Sequence, residues 1–177
     1  MLDVGGGSGA YAMAFVRRRK QIIAAVFDLP NVILITKRYI KKEGLLSKVK
    51  FITGDYNTDD LGSDYDLIFL SAIIHSNSFE QNRILIQKCA HALRDNGKIV
   101  VQDFIMDEAR INPPFGAFFA LNMLVATDSG DTYTESEVRA WLKEAGFTNI
   151  KRKDTKFGTT LIIGRGITAR PRPDKEI

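Results

Sequence analysis

Short apolar runs alternate along the chain with longer segments in which apolar residues recur every three or four positions. The short runs predict strands buried on both faces of a sheet, and the longer segments predict amphipathic helices. The predicted strands are residues 2–4, 22–27, 49–53, 65–70 and 98–104, and the helices between them are residues 11–20, 31–42 and 78–94. Strands that alternate with helices form βαβ units, so the pattern predicts an α/β fold with a mostly parallel sheet.

The last third of the chain has a different order of elements. Residues 105–133 form an unusually long connection that is rich in large apolar side chains. A capping box at Thr134 and Glu137 predicts a helix that ends before Gly146. Two further strands, at residues 147–154 and 157–163, are joined by a short turn and predict an antiparallel hairpin at one edge of the sheet. We therefore expect one domain over residues 1–164 and a disordered tail over residues 165–177.

The first nine residues, MLDVGGGSG, combine an apolar strand that carries Asp3 with a turn that contains Gly5 and Gly7. In an open α/β sheet such a turn lies at the carboxyl end of the first strand, where nucleotide-like ligands bind. Asp28 ends the next predicted strand, where an acid accepts hydrogen bonds from ribose hydroxyls. The loop fits two ligand classes, because it matches both the dinucleotide fingerprint G-x-G-x-x-A and the D-x-G-x-G-x-G loop of S-adenosylmethionine (SAM) methyltransferases.

Composition narrows the choice of partners. The net charge is +4, and the basic clusters fall mostly at predicted helix ends, where cations complement the helix dipole. No aromatic residues alternate with these cations, so no nucleic-acid partner is predicted. The single cysteine, Cys89, leaves no internal disulfide and no cysteine metal cluster, and we predict no metal. Because the sequence has neither a long apolar run nor a signal peptide, we expect a cytoplasmic protein without a membrane partner.

Six stretches carry a resemblance to a known family. They read LDVGGGSGAYA, VFDLPNVI, TGDYN, DLIFLSAIIHS, ALRDNGKIVVQDF and ALNMLVATDSGDTYTESEVRAWLKEAGF. In these stretches the chain resembles the catalytic domain of small-molecule O-methyltransferases, which include plant caffeate and flavonoid enzymes, acetylserotonin methyltransferase and bacterial hydroxyneurosporene-type enzymes. The resemblance implies a Rossmann-like SAM methyltransferase fold with a C-terminal antiparallel hairpin, and it outweighs the dinucleotide alternative.

The resemblance also implies how the chain would bind SAM or its product, S-adenosylhomocysteine. The glycines would line the methionine part of the cofactor, and Asp28 would hold the ribose. Asp55 would bind the adenine amino group, and Tyr56 would cover the ring. Ser71 stands where plant members have a lysine that closes over the cofactor. The implied cofactor-binding residues are Asp3, Gly5, Gly7, Asp28, Asp55, Tyr56 and Ser71.

His75 matches the general base of the family, and Asp103 matches one acid that flanks this base. A neutral phenol or alcohol is a poor nucleophile, and an imidazole with a pKa near neutrality can take its proton. The second flanking acid falls on Thr132, and Ser76 replaces an aspartate that often follows the base, so we expect a less strongly activated base. The acceptor would be a small hydroxylated molecule, aromatic or isoprenoid. The implied substrate-binding residues are Phe119, Asn122 and Met123.

One feature departs from the family pattern, and another matches the signature of a different methyltransferase class. Family members carry an N-terminal helical domain that forms the dimer, whereas this chain starts at the first predicted strand, so we expect a fragment, a truncated product or a reduced member. The apolar segment 115–124 is then expected to be partly exposed, or to associate as a homodimer. Residues 112–115, NPPF, match a signature of N-methyltransferases but follow the fifth predicted strand instead of the fourth. We interpret them as the turn that opens the next helix.

Three functions remain open at this stage. The first is a SAM-dependent O-methyltransferase (EC 2.1.1 type) in which His75 is the base. The second is a SAM-binding domain without turnover, suggested by the missing domain and by Thr132. The third is an NAD(P)-binding oxidoreductase, supported only by the glycine loop and Asp28, because Tyr65 and Tyr133 lack a lysine four positions later.

Overall fold

The protein is described by a computed structural model that covers residues 1–166. Within this range the chain forms nine strands and five helices. The strands are β1 (Leu2–Val4), β2 (Ala24–Asp28), β3 (Val49–Thr53), β4 (Tyr65–Ser71), β5 (Leu93–Asp103), β6 (Ile105–Met106), β7 (Tyr133–Thr134), β8 (Thr148–Asp154) and β9 (Thr160–Arg165). The helices are α1 (Ala10–Arg18), α2 (Pro30–Lys42), α3 (Phe79–Ala92), α4 (Pro114–Ala126) and α5 (Glu135–Glu144), and a 3-10 turn covers Ile74–Ser76.

Seven strands form one sheet in the order β3-β2-β1-β4-β5-β9-β8. The strands from β3 to β5 in this order are parallel to one another, and β9 runs antiparallel between β5 and β8. The mixed sheet with a C-terminal antiparallel hairpin confirms the predicted fold class. A separate pair of short strands, β6 and β7, joins the two ends of the long connection. The sequence pattern did not indicate this pair.

The central strands pack against helices on both faces, because their side chains alternate between two clusters. Leu2 and Val4 of β1 belong to the larger cluster, which also contains inward residues of α3 and α5. Ala24 and Val26 of β2 belong to the smaller cluster, with residues of α1 and α2. Burial on both faces explains why these strands read as continuous apolar runs.

Several predicted boundaries differ from the structure, most of all those of β5 and β9. The strand expected at residues 98–104 begins at Leu93, which pairs with Tyr65 across an irregular register. Asn96 has a φ of 59°, so the strand bends there, and the helix predicted to reach residue 94 ends at Ala92. The last strand begins at Thr160 and ends at Arg165, one residue into the segment predicted as a tail. Positions 167–177 of that segment lie outside the described residues.

The other helix predictions hold well. Side-chain and backbone hydrogen bonds complete the capping boxes at the starts of α3 and α5, and the NPPF motif opens α4 as expected. His91 is exposed and Cys89 is fully buried, and burial raises the pKa of the Cys89 thiol. None of the helices formed by residues 1–166 has the length and apolar character that a membrane crossing needs.

Candidate functional site

The glycine loop between β1 and α1 leaves an open approach to the backbone. Gly7 has a φ of 56°, and a β-carbon built there would have no neighbour within 4 Å. The backbone N–H of Gly7 donates to Oδ2 of Asp28 at 2.8 Å, and Oδ1 of Asp28 accepts from the N–H of Leu29 at 2.8 Å. The structure therefore joins Gly7 and Asp28, two of the predicted cofactor-binding residues, at the carboxyl ends of β1 and β2.

Asp3 lies beneath this loop and is almost fully buried. Its Oδ2 accepts a hydrogen bond from the N–H of Ala12 at 3.2 Å, and its carboxyl group would contact a β-carbon at Gly6 at 2.9 Å. Burial, with a smaller contribution from the negative charge of Asp28, raises the pKa of Asp3 to about 7. The carboxyl group thus connects β1 to the first turn of α1 from below the loop.

A second loop, residues 55–59, follows β3 and carries Asp55 and Tyr56. Oδ1 of Asp55 accepts from the N–H of Asn57 at 2.8 Å, which closes a tight turn. The ring of Tyr56 lies alongside Gly5, where a β-carbon would be 3.8 Å from Cε1 of the tyrosine. Burial raises the pKa of Tyr56, whose hydroxyl donates to Oδ1 of Asn77 at 3.2 Å. The second loop and the glycine loop therefore adjoin each other.

The chain leaves β4 through an uncommon backbone conformation. Ser71 ends the strand, partly buried and opposite Gln102 of β5. The next residue, Ala72, has a φ of 57°, and its N–H donates to the carbonyl oxygen of Gln102 at 3.0 Å. Residues other than glycine seldom adopt a positive φ, and those that do are concentrated at functional sites. The left-handed residue turns the chain into the 3-10 turn that carries His75.

His75 and Asp103 form a close pair at the carboxyl ends of β4 and β5. Nδ1 of His75 lies 2.9 Å and 3.0 Å from the two carboxylate oxygens of Asp103, whose side chain is almost fully buried. The N–H of Phe104 also donates to Oδ1 of Asp103 at 2.9 Å, which fixes the carboxylate. Because a carboxylate only accepts, the ring hydrogen lies on Nδ1 and leaves Nε2 of the neutral imidazole as an acceptor.

The opposite side of the histidine turn is held by residues 130–132. The N–H of Asp131 donates to the carbonyl oxygen of His75 at 3.0 Å. A β-carbon at Gly130 would lie only 2.3 Å from that oxygen, so glycine is required for this approach. Arg110 donates to the carbonyl oxygen of Thr132 at 2.6 Å and thereby anchors the segment. Thr132 is buried, and its backbone is used in this anchor.

A buried polar network connects Tyr56 to the histidine turn. Nδ2 of Asn77 donates to Oδ1 of Asn82 at 3.1 Å, and Nδ2 of Asn82 donates to the carbonyl oxygen of Ile74 at 2.8 Å. Tyr133 donates its hydroxyl to the carbonyl oxygen of Asn77 at 2.5 Å. With the Tyr56 hydroxyl bound to Asn77, every member of the network has a partner, which stabilises polar groups in an apolar interior.

Aromatic side chains surround the histidine ring on the side of α4. Phe119 meets the ring of His75 edge to face, with centroids 4.9 Å apart. Phe104 and Phe115 continue the cluster, with centroids 5.0–5.1 Å apart where Phe104 meets Phe115 and Phe119. Met123 is buried, whereas Asn122 is exposed. Of the three predicted substrate-binding residues, Phe119 is therefore the one in ring contact with His75.

Several residues around the site were not identified from the sequence. Asn82 offered one signal, since it occupies an inward position of α3 where an amide needs a buried partner. Gly130 and Arg110 lie in the long connection, and they reach the histidine turn and the 131–132 backbone only through tertiary contacts. Local patterns carry no signal for such contacts.

Comparisons with known proteins identify the family of this chain. Residues 1–148 match the family described as the O-methyltransferase domain. The chain is 31% identical over 151 residues to 3-hydroxy-5-methyl-1-naphthoate 3-O-methyltransferase of Streptomyces sahachiroi, covering 85% of the chain and 44% of that protein. It is 35% identical over 163 residues to acetylserotonin O-methyltransferase of Bos taurus, covering 92% of the chain and 46% of that protein. The chain thus spans about half the length of the curated relatives it matches.

Solved structures are similar over the same region. Human N-acetylserotonin methyltransferase in complex with SAM has a TM-score of 0.85 and 29% identity, covering 95% of this chain and 47% of that one. An O-methyltransferase family 2 protein from Planctomyces limnophilus in complex with apigenin has a TM-score of 0.86 and 26% identity, covering 94% and 49%. The family match covers residues 1–148, which include the glycine loop, the loop 55–59, His75 and Asp103. This chain belongs to the O-methyltransferase domain family.

Proposed function

We propose that this chain is the catalytic domain of a cytoplasmic, SAM-dependent O-methyltransferase that acts on a hydroxyl group of a small aromatic or isoprenoid molecule. The observation that carries the proposal is the His75–Asp103 pair at the carboxyl ends of β4 and β5, which leaves Nε2 of the histidine as an acceptor. The domain extends at least to Arg165, the last residue of the sheet.

The residues present fit SAM as a cofactor. Gly7, in a left-handed conformation with open space above it, gives a ligand access to the main chain. Asp28 is bound to Gly7, and Tyr56 lies alongside Gly5 and follows Asp55. These residues offer two carboxylates for hydroxyl and amine donors and one aromatic face for a purine. Gly5 and Ser71 would complete the lining, and Asp3 would support the loop from below. When bound, SAM supplies a methyl group on a positively charged sulfur.

The chain's own contribution is to remove a proton and to orient the acceptor. Nε2 of His75 would take the proton of the acceptor hydroxyl, and Asp103 would stabilise the imidazolium that results. General-base assistance of this kind contributes about 10²- to 10⁴-fold to a rate. Asp103 performs the orienting role without a second carboxylate, because the other expected position is Thr132.

The acceptor side of the site favours a flat apolar molecule. Phe119 meets the histidine ring and Phe104 packs against Phe119, and Met123 adds an adaptable apolar side chain one turn further along α4. Asn122 is the polar group that this helix offers for orienting a second substituent. The hydroxynaphthoate in the name of the Streptomyces sahachiroi enzyme and the apigenin bound to the Planctomyces limnophilus protein are both hydroxylated aromatic molecules.

Binding and turnover should be measured separately. Calorimetric titration with S-adenosylhomocysteine is expected to give binding, and titration with NADH is expected to give none. Transfer of a labelled methyl group from SAM to apigenin and related phenols then tests the reaction. Binding without transfer to any acceptor would favour the SAM-binding domain without turnover, and binding of NADH alone would favour the oxidoreductase.

A matched pair of variants tests the proposed base. His75→Ala is expected to lower kcat by about 10²- to 10⁴-fold, since it removes the general base. His91→Ala alters the other histidine, which is exposed on α3, and is expected to leave kcat unchanged. Equal kcat in both variants would remove His75 from the mechanism.

We further propose that α4 forms a homodimer contact. The helix carries no charged residue, and Phe118, Leu124 and Val125 are 73%, 73% and 87% exposed. Light scattering over a concentration series is expected to give a dimer for the wild-type chain and a monomer for Leu124→Glu. Phe157→Glu is the control, since Phe157 is equally exposed but lies in the hairpin turn. A wild-type monomer at all concentrations would contradict the contact.

A further inference from the structure

Lys88 lies on α3, and its ammonium group binds the backbone of the loop 55–59. Nζ donates to the carbonyl oxygens of Tyr56, Asn57 and Asp59, each at 2.9 Å. A lysine ammonium has three N–H donors and no acceptor. These three bonds therefore use the full donor capacity of Lys88 on one loop.

The loop depends on an external donor because its own side chains serve its N–H groups. Oδ2 of Asp59 accepts from the N–H of Asp55 at 2.8 Å, and Oδ1 of Asp55 accepts from the N–H of Asn57 at 2.8 Å. A carboxylate cannot donate to a carbonyl, so neither acid satisfies the carbonyl oxygens of the loop. Lys88 supplies the donors that these oxygens need.

The charge of Lys88 adds to this attachment. The loop and its next residue contain three carboxylates, from Asp55, Asp59 and Asp60, and three carbonyl oxygens converge on the ammonium group. Hydrogen bonds with one ionised partner are stronger than neutral ones. Lys88 is partly buried, so solvent replaces its bonds less readily than it would on an open surface.

We propose that Lys88 is a positioning residue for the cofactor-binding loop. It holds Asp55 and Tyr56 where, under the function proposed above, they contact the adenine; the inference rests on that function. Lys88 makes its three hydrogen bonds to the loop and none of them to the histidine turn. Its loss therefore weakens cofactor binding and leaves the chemical step largely intact.

The variant Lys88→Met keeps a long apolar side chain and removes the donors and the charge. Calorimetry is expected to show S-adenosylhomocysteine bound about tenfold more weakly, the scale of one charge-assisted hydrogen bond. The KM for SAM is expected to rise by a similar factor, with kcat at saturating SAM within about twofold of the wild type. Hydrogen exchange in the ligand-free chain is expected to accelerate at residues 55–60.

Two further variants separate positioning from general stability. Arg94→Met is the control, because Arg94 also donates to a backbone carbonyl oxygen, that of Asp64, which lies outside the loop 55–59. This variant is expected to leave cofactor affinity unchanged. Lys88→Arg keeps donors and charge with a different geometry, and it is expected to restore part of the affinity. This variant also provides the test should Lys88→Met fail to fold.

The outcomes distinguish this inference from the function on which it rests. Wild-type chain that binds no S-adenosylhomocysteine overturns both. Wild-type binding with equal affinity in Lys88→Met overturns the role of Lys88 alone. A fall in kcat at saturating SAM as large as the rise in KM also overturns it, because the residue would then act on the chemistry or on the whole fold.

Discussion

Replacement of Gly130 by alanine should displace the turn that carries the proposed base. A β-carbon at this position lies 2.3 Å from the carbonyl oxygen of His75 and 2.5 Å from Oγ1 of Thr127. The threonine side chain can rotate away, but the His75 oxygen belongs to the backbone. Ordinary van der Waals contact begins at 3.4 Å, so the two segments must separate by about 1 Å.

The size of the effect follows from this displacement. The hydrogen bond from the N–H of Asp131 to His75, 3.0 Å long, would be stretched beyond normal length. A misplacement of about 1 Å at a catalytic group can cost about 10²-fold in rate. Overpacking of this kind costs about 1–3 kcal/mol in the free energy of unfolding. We therefore expect Gly130→Ala to lower kcat about 100-fold and to remain folded.

The assay compares this variant with Gly166→Ala, in which the new methyl group meets its nearest neighbour, the carbonyl oxygen of Gly97, at 3.4 Å. We would measure kcat at saturating SAM, the affinity for S-adenosylhomocysteine and the urea midpoint of unfolding. The control is expected to match the wild type in all three. A Gly130→Ala variant with wild-type kcat would refute the reasoning, as would a loss of cofactor affinity equal to the loss of kcat.

Three further changes have expected outcomes. Burial raises the pKa of Asp3 from 3.8 to about 7, so between these values the folded chain binds more protons than the unfolded chain and stability falls as the pH rises. Asp3→Asn should remove about 3 kcal/mol of that decline between about pH 5 and about pH 8, measured by urea unfolding at both values, and an unchanged decline would contradict the burial argument. Ala72→Gly relieves a φ of 57° and should raise the free energy of unfolding by about 1 kcal/mol; a lower midpoint of thermal unfolding would show that the conformation is unstrained. Arg110→Met removes the donor to the carbonyl oxygen of Thr132 and should lower kcat more than cofactor affinity, which parallel kinetic and calorimetric measurements would test.

Burial made much of the fold predictable from the sequence. Strands buried on both faces read as apolar runs, and β1, β2 and β4 were found where such runs occur. Asp28 was proposed as a site residue because it ends a strand in a parallel sheet, where carboxyl ends converge. His75 and Asp103 were proposed from the family resemblance. The approach of His75 to Asp103 is a consequence of the pairing of β4 with β5.

The features that escaped prediction depend on contacts distant in the chain. The start of β5 at Leu93 depends on pairing with Tyr65 across a bend at Asn96, and apolar periodicity carries no signal for such a bend. The lysine at position 88 looks like any surface cation of an amphipathic helix until three carbonyl oxygens are found around it. Gly130 likewise reads as an ordinary loop residue. Each case needs the position of a second segment that the local sequence does not contain.

Helix α3 has a consequence for the construction of chimeric proteins from this family. Asn82 donates a hydrogen bond to the histidine turn, and Lys88 donates hydrogen bonds to the loop 55–59. These two residues are about 9 Å apart along the helix axis. A transplanted 55–59 loop would therefore arrive without its anchor unless the donor's α3 came with it. The unit to exchange is α3 together with the loop 55–59 and the histidine turn, although these lie in three separate parts of the chain.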